Sequence, residues 1–286
     1  TPVGRIQIEA GIQSVYAPAL EVCCRKTDLD RCLENLKQII NAGNINVHTD
    51  LIAGLPYESP EIFEESFNKT YALKSHQLQL GFLKILHGAP LNQIADEHGY
   101  VFSENPPYEI VKNNYMSYAD LMNLKEFENV LERFYNSGNF VYTMDRVIGF
   151  YETPFAMYRA IADYAVAKKY VFKSISMQQS FDLLAGFISD NAVSWGTVDL
   201  KEIHKCMLLD FFSSNKSDLP PESLKHMWTS ERMIKNKNSD IMKACGIEEF
   251  KNFRLRVIEG QVYIFDFSCP NPVTGRFSWQ KTDYFI

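Results

Sequence analysis

The sequence predicts an α/β fold in which three strand–helix units precede a mainly helical domain with a small antiparallel C-terminal meander. In roughly the first hundred residues, short alternating segments are separated by helix-like segments, an order typical of parallel strands joined by right-handed crossovers. After Pro106-Pro107 the apolar spacing becomes helical, and near the C-terminus it returns to alternation. We therefore expect an open α/β sheet or part of a barrel at residues 1–105, a connecting helical region at 106–140 and a mainly helical domain at 141–286.

The strand–helix units are bounded by recognisable start and stop signals. The three strands are predicted at residues 5–10, about 45–53 and about 77–86. The helix after the first strand should begin at the N-cap Thr27 and end at Gly43. Pro60 indicates the first turn of the next helix, and a short helix at about 91–98 completes the third unit.

The remainder of the chain is expected to be helical up to the meander. A long helix runs from about Tyr118 to Asn136, and Thr153 and Thr197 are the expected N-caps of two later helices. Further helices are predicted at about 154–169, 177–190, 198–213 and 221–246. The meander has two strands between Phe253 and Phe267 around a Glu259-Gly260 turn, and a last strand near 276–285.

Each of the three N-terminal strands has a polar face. These faces carry Gln7 and Glu9 on the first strand, Asn46, His48 and Asp50 on the second, and Gln77 and Gln79 on the third. A parallel sheet covered by helices on both sides should be apolar on both faces. The pattern favours a curved sheet around a wet functional cavity, and the alternative is a solvent-exposed face of a truncated sheet.

Composition excludes several classes of protein. The chain has 286 residues, of which 46% are hydrophobic and 22% charged, as in folded globular proteins. A net charge of −6 argues against a general nucleic-acid partner, and no apolar run approaches the roughly 18 residues that would span a membrane. Six irregularly spaced cysteines do not form a secreted disulfide framework, so a cytoplasmic location is expected.

The loops after the strands hold the residues with the most chemistry, because α/β folds place their sites at the carboxyl ends of the strands. Gly11 permits a tight strand exit, and Gln13 and Asp50 supply amide and carboxylate hydrogen bonds. Arg25 can bind a carboxylate through its forked guanidinium. Each of these signals is weak alone, and their order and spacing make them stronger.

That order resembles the second half of a radical SAM barrel. The matching segments are Gly11-Ile12-Gln13-Ser14, Arg25, the run from Asp50 to Pro56, and the strand Leu80–Lys84 followed by Gly88–Leu91. They are similar to the fourth to sixth strands of oxygen-independent coproporphyrinogen III oxidase. Across the chain, the sequence most resembles the cobalamin-binding radical SAM proteins that end in an uncharacterised C-terminal domain.

The resemblance implies S-adenosylmethionine as a ligand. It places Gln13 and Asp50 at the ribose and neighbouring groups, Arg25 at the methionyl carboxylate and Ile52 against the adenine, and it places the backbone near Lys84 at the adenine edge. The implied reaction is reductive cleavage of S-adenosylmethionine, with cobalamin-dependent methyl transfer or oxidoreductase chemistry. The resemblance does not identify catalytic residues.

The sequence departs from the family at the iron–sulfur motif. The family holds a [4Fe–4S] cluster with Cys-x3-Cys-x2-Cys, whereas Cys23 and Cys24 are adjacent here and Cys32 lies in a helix. The glycine-rich segment after the second barrel strand and a cobalamin-binding domain are also missing, and no metal ligands are assigned. We expect the C-terminal part of a longer enzyme, inactive alone because the cluster and cobalamin ligands lie outside it.

Two other interpretations remain open. The chain could be a non-redox α/β-barrel enzyme that uses Glu9, His48 and Asp50 for acid–base chemistry. Alternatively, the domain from about residue 141 is a binding module that recognises a protein or peptide substrate. Whether the substrate of the enzyme is a small molecule or a peptide is not indicated by the sequence. The expected truncation of the barrel leaves the first strand with an unpaired edge, which predicts a homodimer through residues 5–10 or coverage of that edge by the meander.

Overall fold

The computed structural model of the protein describes residues 2–229, 238–248 and 250–286. The helices are α1 (Ala17–Val22), α2 (Leu29–Asn41), α3 (Pro60–Tyr71), α4 (Pro90–Gln93), α5 (Tyr118–Leu131), α6 (Val141–Val147), α7 (Pro154–Ala167), α8 (Met177–Asn191), α9 (Leu200–Ser214) and α10 (Asn238–Ala244). The strands are β1 (Gln7–Gln13), β2 (Asn46–Ala53), β3 (Gln77–Phe82), β4 (Val101–Phe102), β5 (Ile110–Lys112), β6 (Trp228–Thr229), β7 (Phe253–Ile258), β8 (Gln261–Asp266) and β9 (Ser278–Phe285).

The chain forms two compact units. The first comprises Thr1–Glu132 and Thr153–Val166, and the second comprises Arg133–Glu152 and Ala167–Ile286. Helix α5 continues into a π-helical segment at Glu132–Asn136. Within the described residues, no helix is both long and apolar enough to span a bilayer.

The sheet of the first unit is parallel, with the order β1-β2-β3. Helices α2 and α3 provide the crossovers, and both contact β2. Together with the helical segments and the antiparallel sheet near the C-terminus, this arrangement confirms the predicted α/β fold class.

The two faces of this sheet differ as the alternation predicts. Val47, Leu51 and Leu78 are fully buried, whereas Glu9 and Gln79 lie on the opposite, more exposed face. Successive side chains of a strand point to opposite faces, so one face packs into the core and the other remains polar.

The core of the first unit is aromatic. Phe67 of α3 meets Phe127 of α5 edge to face, with ring centroids 4.9 Å apart, and Phe127 stacks on Phe155 at 4.6 Å. Helix α7 is tied to α3 because the backbone N–H of Phe155 donates to Asn68 and the Thr153 hydroxyl donates to Glu64. These contacts explain why a segment beyond residue 150 belongs to the first unit.

The second unit ends in an antiparallel sheet with the order β6-β7-β8-β9. Its inner side packs on α10 through the buried residues Ile241, Met242, Leu255, Val257, Val262 and Ile264. The predicted turn at Glu259-Gly260 is confirmed, and both residues have the positive φ that a tight hairpin turn of this hand requires.

Several predicted boundaries were wrong. The first strand runs from Gln7 to Gln13 instead of 5–10, the third ends at Phe82, and α4 covers only Pro90–Gln93. The N-caps expected at Thr27 and Thr197 are instead Asp28 and Asp199, whose carboxylates accept N–H groups of the first turn. Aspartate and threonine side chains can both accept the N–H groups of a first helical turn. Where the two residues lie close together, the sequence alone does not decide which one is the N-cap.

Other elements were not predicted. These are α1, the β4–β5 hairpin and α6. The single helix predicted at 221–246 is a 3₁₀ segment at Glu222–Met227, then β6 and α10. The part of that prediction at 230–237 lies outside the described residues.

Candidate functional site

The exit of β1 brings two of the predicted site residues together. Arg25 Nη2 donates to the carbonyl oxygen of Gly11 at 2.8 Å. A Cβ at Gly11 would lie 2.2 Å from Gln13 Nε2 and 3.7 Å from Arg25 Nη1, so the Gln13 amide lies directly over Gly11 beside the guanidinium. Only glycine leaves room for this arrangement.

Asp50 lies opposite this exit on the neighbouring strand. Gly11 pairs with Asp50 in the parallel register, and the register shifts between Gly11 and Gln13. Burial and the nearby Glu9 carboxylate raise the pKa of Asp50, and His48 partly offsets them. Asp50 is therefore a carboxyl group whose charge is poorly compensated by the protein around it.

Two buried acceptor atoms on these adjacent strands have no hydrogen-bond partner within the described part of the chain. They are Gln13 Oε1 and Asp50 Oδ1. Leaving a buried acceptor unpaired costs on the order of 1–3 kcal/mol, so native proteins normally satisfy such atoms. A ligand with hydroxyl or amino groups would supply hydrogen-bond donors to these two atoms.

Ile52 forms an apolar surface two residues beyond Asp50 on the same face of β2. It is half-buried and pairs with Gly81 of β3, where a Cβ would lie 4.0 Å from Ile52 Cγ1. Because Gly81 has no side chain, the Ile52 side chain has open space beside it. A flat apolar group fits such a surface.

Lys84 lies beyond the end of β3 and is exposed. Its segment bridges antiparallel to Glu109 through two bonds, from Ile85 N to Tyr108 O and from Ile110 N to Leu83 O. The backbone amide and carbonyl of Lys84 take no part in these two bonds, so they face away from the 108–110 segment.

The loop after β2 contains a buried acid that the sequence did not single out. Glu58 is fully buried, and its Oε1 accepts from Ser14 Oγ at 2.6 Å and from Ser66 Oγ at 3.2 Å. Burial raises the pKa of Glu58 to about 7, against the effect of the two hydroxyl donors. The only sequence signal is a single acid between an apolar turn and the N-cap Ser59.

The same loop is held by residues that follow β3. Tyr100 Oη and Asn113 Nδ2 both donate to the carbonyl oxygen of Gly54, each at 2.9 Å. Gly54 has a φ of +89°, and a Cβ there would lie 2.1 Å from Ile110 Cδ1. The positive φ and the close approach of Ile110 therefore favour glycine at this position.

Glu9 and His48, the other residues considered for acid–base chemistry, also lie on the polar face. They pair in register, and Gln7 Nε2 lies 3.1 Å from Glu9 Oε1 and 3.4 Å from His48 Nδ1. His48 is only 7% exposed, and its Nε2 has no partner among the described residues.

A protein-bound metal needs several donor side chains in one place. Within residues 2–229, 238–248 and 250–286, no group of three or more His, Cys, Asp or Glu side chains could hold a metal ion. The thiols of Cys23, Cys24 and Cys32 are unpaired. The described residues therefore do not fit an iron–sulfur cluster.

The second unit contains a separate cavity that the sequence did not indicate. It has a volume of about 430 Å³ and is lined by Leu200, Lys201, His204, His226, Met227, Thr229 and Glu259. The rings of His204 and His226 lie 5.6 Å apart, and burial and His226 lower the pKa of His204. The two histidines are far apart in sequence, so their proximity depends on tertiary structure.

Comparisons with known proteins give limited similarity. No curated protein matches this chain. Among solved structures, it is similar to "The archaeal Methanocaldococcus infernus Elp3 with N-terminus deletion (1-46)", with a TM-score of 0.30 and 20% sequence identity. That match covers 33% of this chain and 22% of the Elp3 chain, so it spans well under two thirds of that protein's length.

The family comparison covers a larger part of the sequence. Residues 96–269 match the family described as "Protein of unknown function (DUF4080)". The match includes the Tyr100 and Asn113 contacts to Gly54, the cavity of the second unit and strands β7 and β8. Since it extends over more than half of the chain, this protein belongs to the DUF4080 family.

Proposed function

We propose that the first unit of this chain binds S-adenosylmethionine as part of a radical SAM protein. The observation that carries the proposal is the pair of buried, unpartnered acceptors on adjacent parallel strands, Gln13 Oε1 at the last residue of β1 and Asp50 Oδ1 in β2. The Arg25 guanidinium lies at the same strand exit, bound to Gly11. Acceptors for hydroxyl groups beside a cation for a carboxylate match the two ends of this ligand.

Each residue has a defined task in this proposal. Gln13 and Asp50 accept hydrogen bonds from the ribose hydroxyls, and Arg25 pairs with the methionyl carboxylate. Ile52 packs on the adenine, and the backbone of Lys84 bonds to the adenine edge. When bound beside a reduced iron–sulfur cluster, S-adenosylmethionine supplies radical chemistry, and these residues hold and orient it.

The cluster and cobalamin belong to the proposal only as partners of this unit. We propose that both are bound by groups other than the described residues, so that this chain alone binds S-adenosylmethionine without cleaving it. With those groups in place, the proposed reaction is methyl transfer or oxidoreductase chemistry. We place the protein in the cytoplasm, which is supported by six cysteines that are all unpaired.

Isothermal titration calorimetry of the chain with S-adenosylmethionine tests the proposal. We expect saturable binding in the wild type and at least roughly tenfold weaker binding in Arg25→Ala, because a charge-assisted pair to a carboxylate is lost. Arg31→Ala, an exposed arginine on α2, is the matched control and should bind like the wild type. Absence of heat from the wild type at millimolar ligand would contradict the proposal.

A second candidate function is supported by the cavity of the second unit. A volume of about 430 Å³ lies within the range of small-molecule sites, and His204 Nε2 is buried without a partner in the described part of the chain. We infer that this unit can bind a small polar substrate. A thermal-shift screen of the whole chain should find stabilising compounds whose effect is lost in His204→Ala and kept in Arg25→Ala. Hits that are unaffected by His204→Ala would reject this function.

A further inference from the structure

Glu58 is a buried ionisable group of the first unit that the proposed binding site does not use. It lies between the loop after β2 and the start of α3, and its side chain is fully buried. One carboxyl oxygen accepts from Ser14 and Ser66, and the other, Oε2, is buried without a partner among the described residues. Burying a carboxyl group in this way costs free energy, and such groups are often found at functional sites.

The two serines bonded to Glu58 also hold the backbone directly after Gln13. Val15 N donates to Ser66 Oγ at 3.1 Å, and Tyr16 N donates to Ser14 Oγ at 3.0 Å. The hydroxyls of Ser14 and Ser66 lie 3.3 Å apart, so the carboxyl group and both serines form one connected cluster. This cluster joins the exit of β1 to α3.

The exit held in this way is conformationally unusual. Gln13 has a φ of +68°, a left-handed conformation that costs a non-glycine residue free energy. Such a conformation persists only where neighbouring contacts impose it, and Ser14 is the next residue along the chain. The position of the Gln13 amide over Gly11 therefore depends on the contacts of Ser14.

We propose that Glu58 is a positioning residue of the S-adenosylmethionine site. Through Ser14 and Ser66, Glu58 fixes the exit of β1. That exit carries Gln13 and the Gly11 carbonyl to which Arg25 donates. This inference rests on the proposed function. It adds that a carboxyl group without ligand contact sets the affinity of the site, and that its protonation state controls that affinity.

Among the described residues, the charge of Glu58 affects two ionisable groups. Its charge acts on Cys23 at the end of α1 and on Tyr100 after α4, and burial raises the pKa of both of those groups. Arg25 lies close enough to Cys23 to oppose this effect on the thiol. Neither neighbour is a cation that neutralises Glu58, so the carboxyl group changes charge near its pKa of about 7.

The direction of the pH effect follows from hydrogen-bond strength. An ionised carboxylate accepts more strongly from the two serine hydroxyls than a protonated carboxyl group does. Raising the pH through 7 therefore tightens the cluster and orders the strand exit. The affinity for S-adenosylmethionine should rise by roughly five- to tenfold between about pH 6 and about pH 8.

The test compares dissociation constants of S-adenosylmethionine at these two pH values. Glu58→Gln keeps the size and one acceptor oxygen but does not ionise, so it should lose the rise in affinity and bind at both pH values as the wild type does at the lower one. Glu61→Gln, an exposed acid in the first turn of the adjacent helix α3, should keep the wild-type rise. Equal pH dependence in Glu58→Gln and the wild type would overturn the inference.

A measurement without ligand separates this inference from the proposed function. The side-chain amide NMR signal of Gln13, assigned by its loss in Gln13→Leu, should titrate with a midpoint near 7 in the wild type and stay constant in Glu58→Gln. If the wild type fails to bind S-adenosylmethionine, the proposed function is wrong, and this signal still decides whether Glu58 positions Gln13. A Gln13 signal that does not titrate in the wild type would overturn the positioning role.

Discussion

Asp210 shows how a single buried charge is stabilised in the second unit. It is fully buried and accepts from the backbone N–H groups of Tyr142 and Thr143, from the Thr143 hydroxyl at 2.7 Å and from Arg276 at 2.8 Å. Burial raises the pKa of Asp210, and Arg276 is the largest opposing effect. This ion pair joins α9 to the start of α6 and to the segment before β9.

Removing Asp210 should therefore be costly. Asp210→Ala leaves the guanidinium of Arg276 buried without its counter-charge, and we expect a loss of about 3–5 kcal/mol in the free energy of unfolding. The control is Asp190→Ala, which breaks an exposed pair with Lys168 and should cost less than about 1 kcal/mol. Urea unfolding of both variants checks the difference, and a similar small loss in both would show that the Asp210 cluster contributes little.

At the scale of elements, the conformation of Gly54 determines the course of the loop after β2. Gly54 combines a positive φ with a close approach to Ile110 and accepts two hydrogen bonds at its carbonyl. Gly88 also has a positive φ, but a Cβ there meets no atom within 4 Å. The two glycines therefore share a left-handed backbone conformation and differ in what a Cβ would contact.

This difference gives a direct test of packing at the turn. Gly88→Ala should cost only the strain of a left-handed residue, about 1 kcal/mol. Gly54→Ala adds a clash with Ile110 and should cost roughly 1–3 kcal/mol more, measured by thermal unfolding. Trimming the contact in the double variant Gly54→Ala/Ile110→Val should recover part of that loss. Equal losses for the two glycine variants would mean that Ile110 moves away freely.

The sequence could predict elements whose signals are local. Alternation along β2, the proline at the start of α3 and the Glu259-Gly260 turn all follow from neighbouring residues. The parallel pairing of the strands that carry Gln13 and Asp50 was also predictable, because strands that alternate with helices are joined by right-handed crossovers.

The remaining features depend on contacts between distant residues. The burial of Glu58 depends on Ser14 and Ser66, and the first of these is 44 residues away. The pairing of His204 with His226 requires α9 and a 3₁₀ segment to meet. No periodicity or local motif encodes such contacts, so neither feature could be predicted from the sequence.

At the scale of the whole molecule, we propose that two copies of the chain form a homodimer through the outer edge of β1. β1 is an outer strand of the three-stranded sheet, and Ile6, just before it, is 39% exposed. Outer strands present unpaired backbone groups that favour pairing with a second copy. We expect a dimer by light scattering in the wild type and a monomer in Ile6→Lys.

The control for this expectation is Val141→Lys, a charge placed on another exposed residue, which should remain dimeric. A wild-type chain that stays monomeric at high concentration would contradict pairing through this edge.

The central claim is that separate residues near the exit of β1 recognise the two ends of S-adenosylmethionine. Titrating Arg25→Ala with two ligands tests this claim most directly. The second ligand is 5′-methylthioadenosine, which has the adenosyl group and no methionyl carboxylate. We predict that this substitution weakens binding of S-adenosylmethionine by roughly tenfold or more and leaves the affinity for 5′-methylthioadenosine within about twofold of the wild type. Equal weakening for both ligands, or no binding of either by the wild type, would contradict the account.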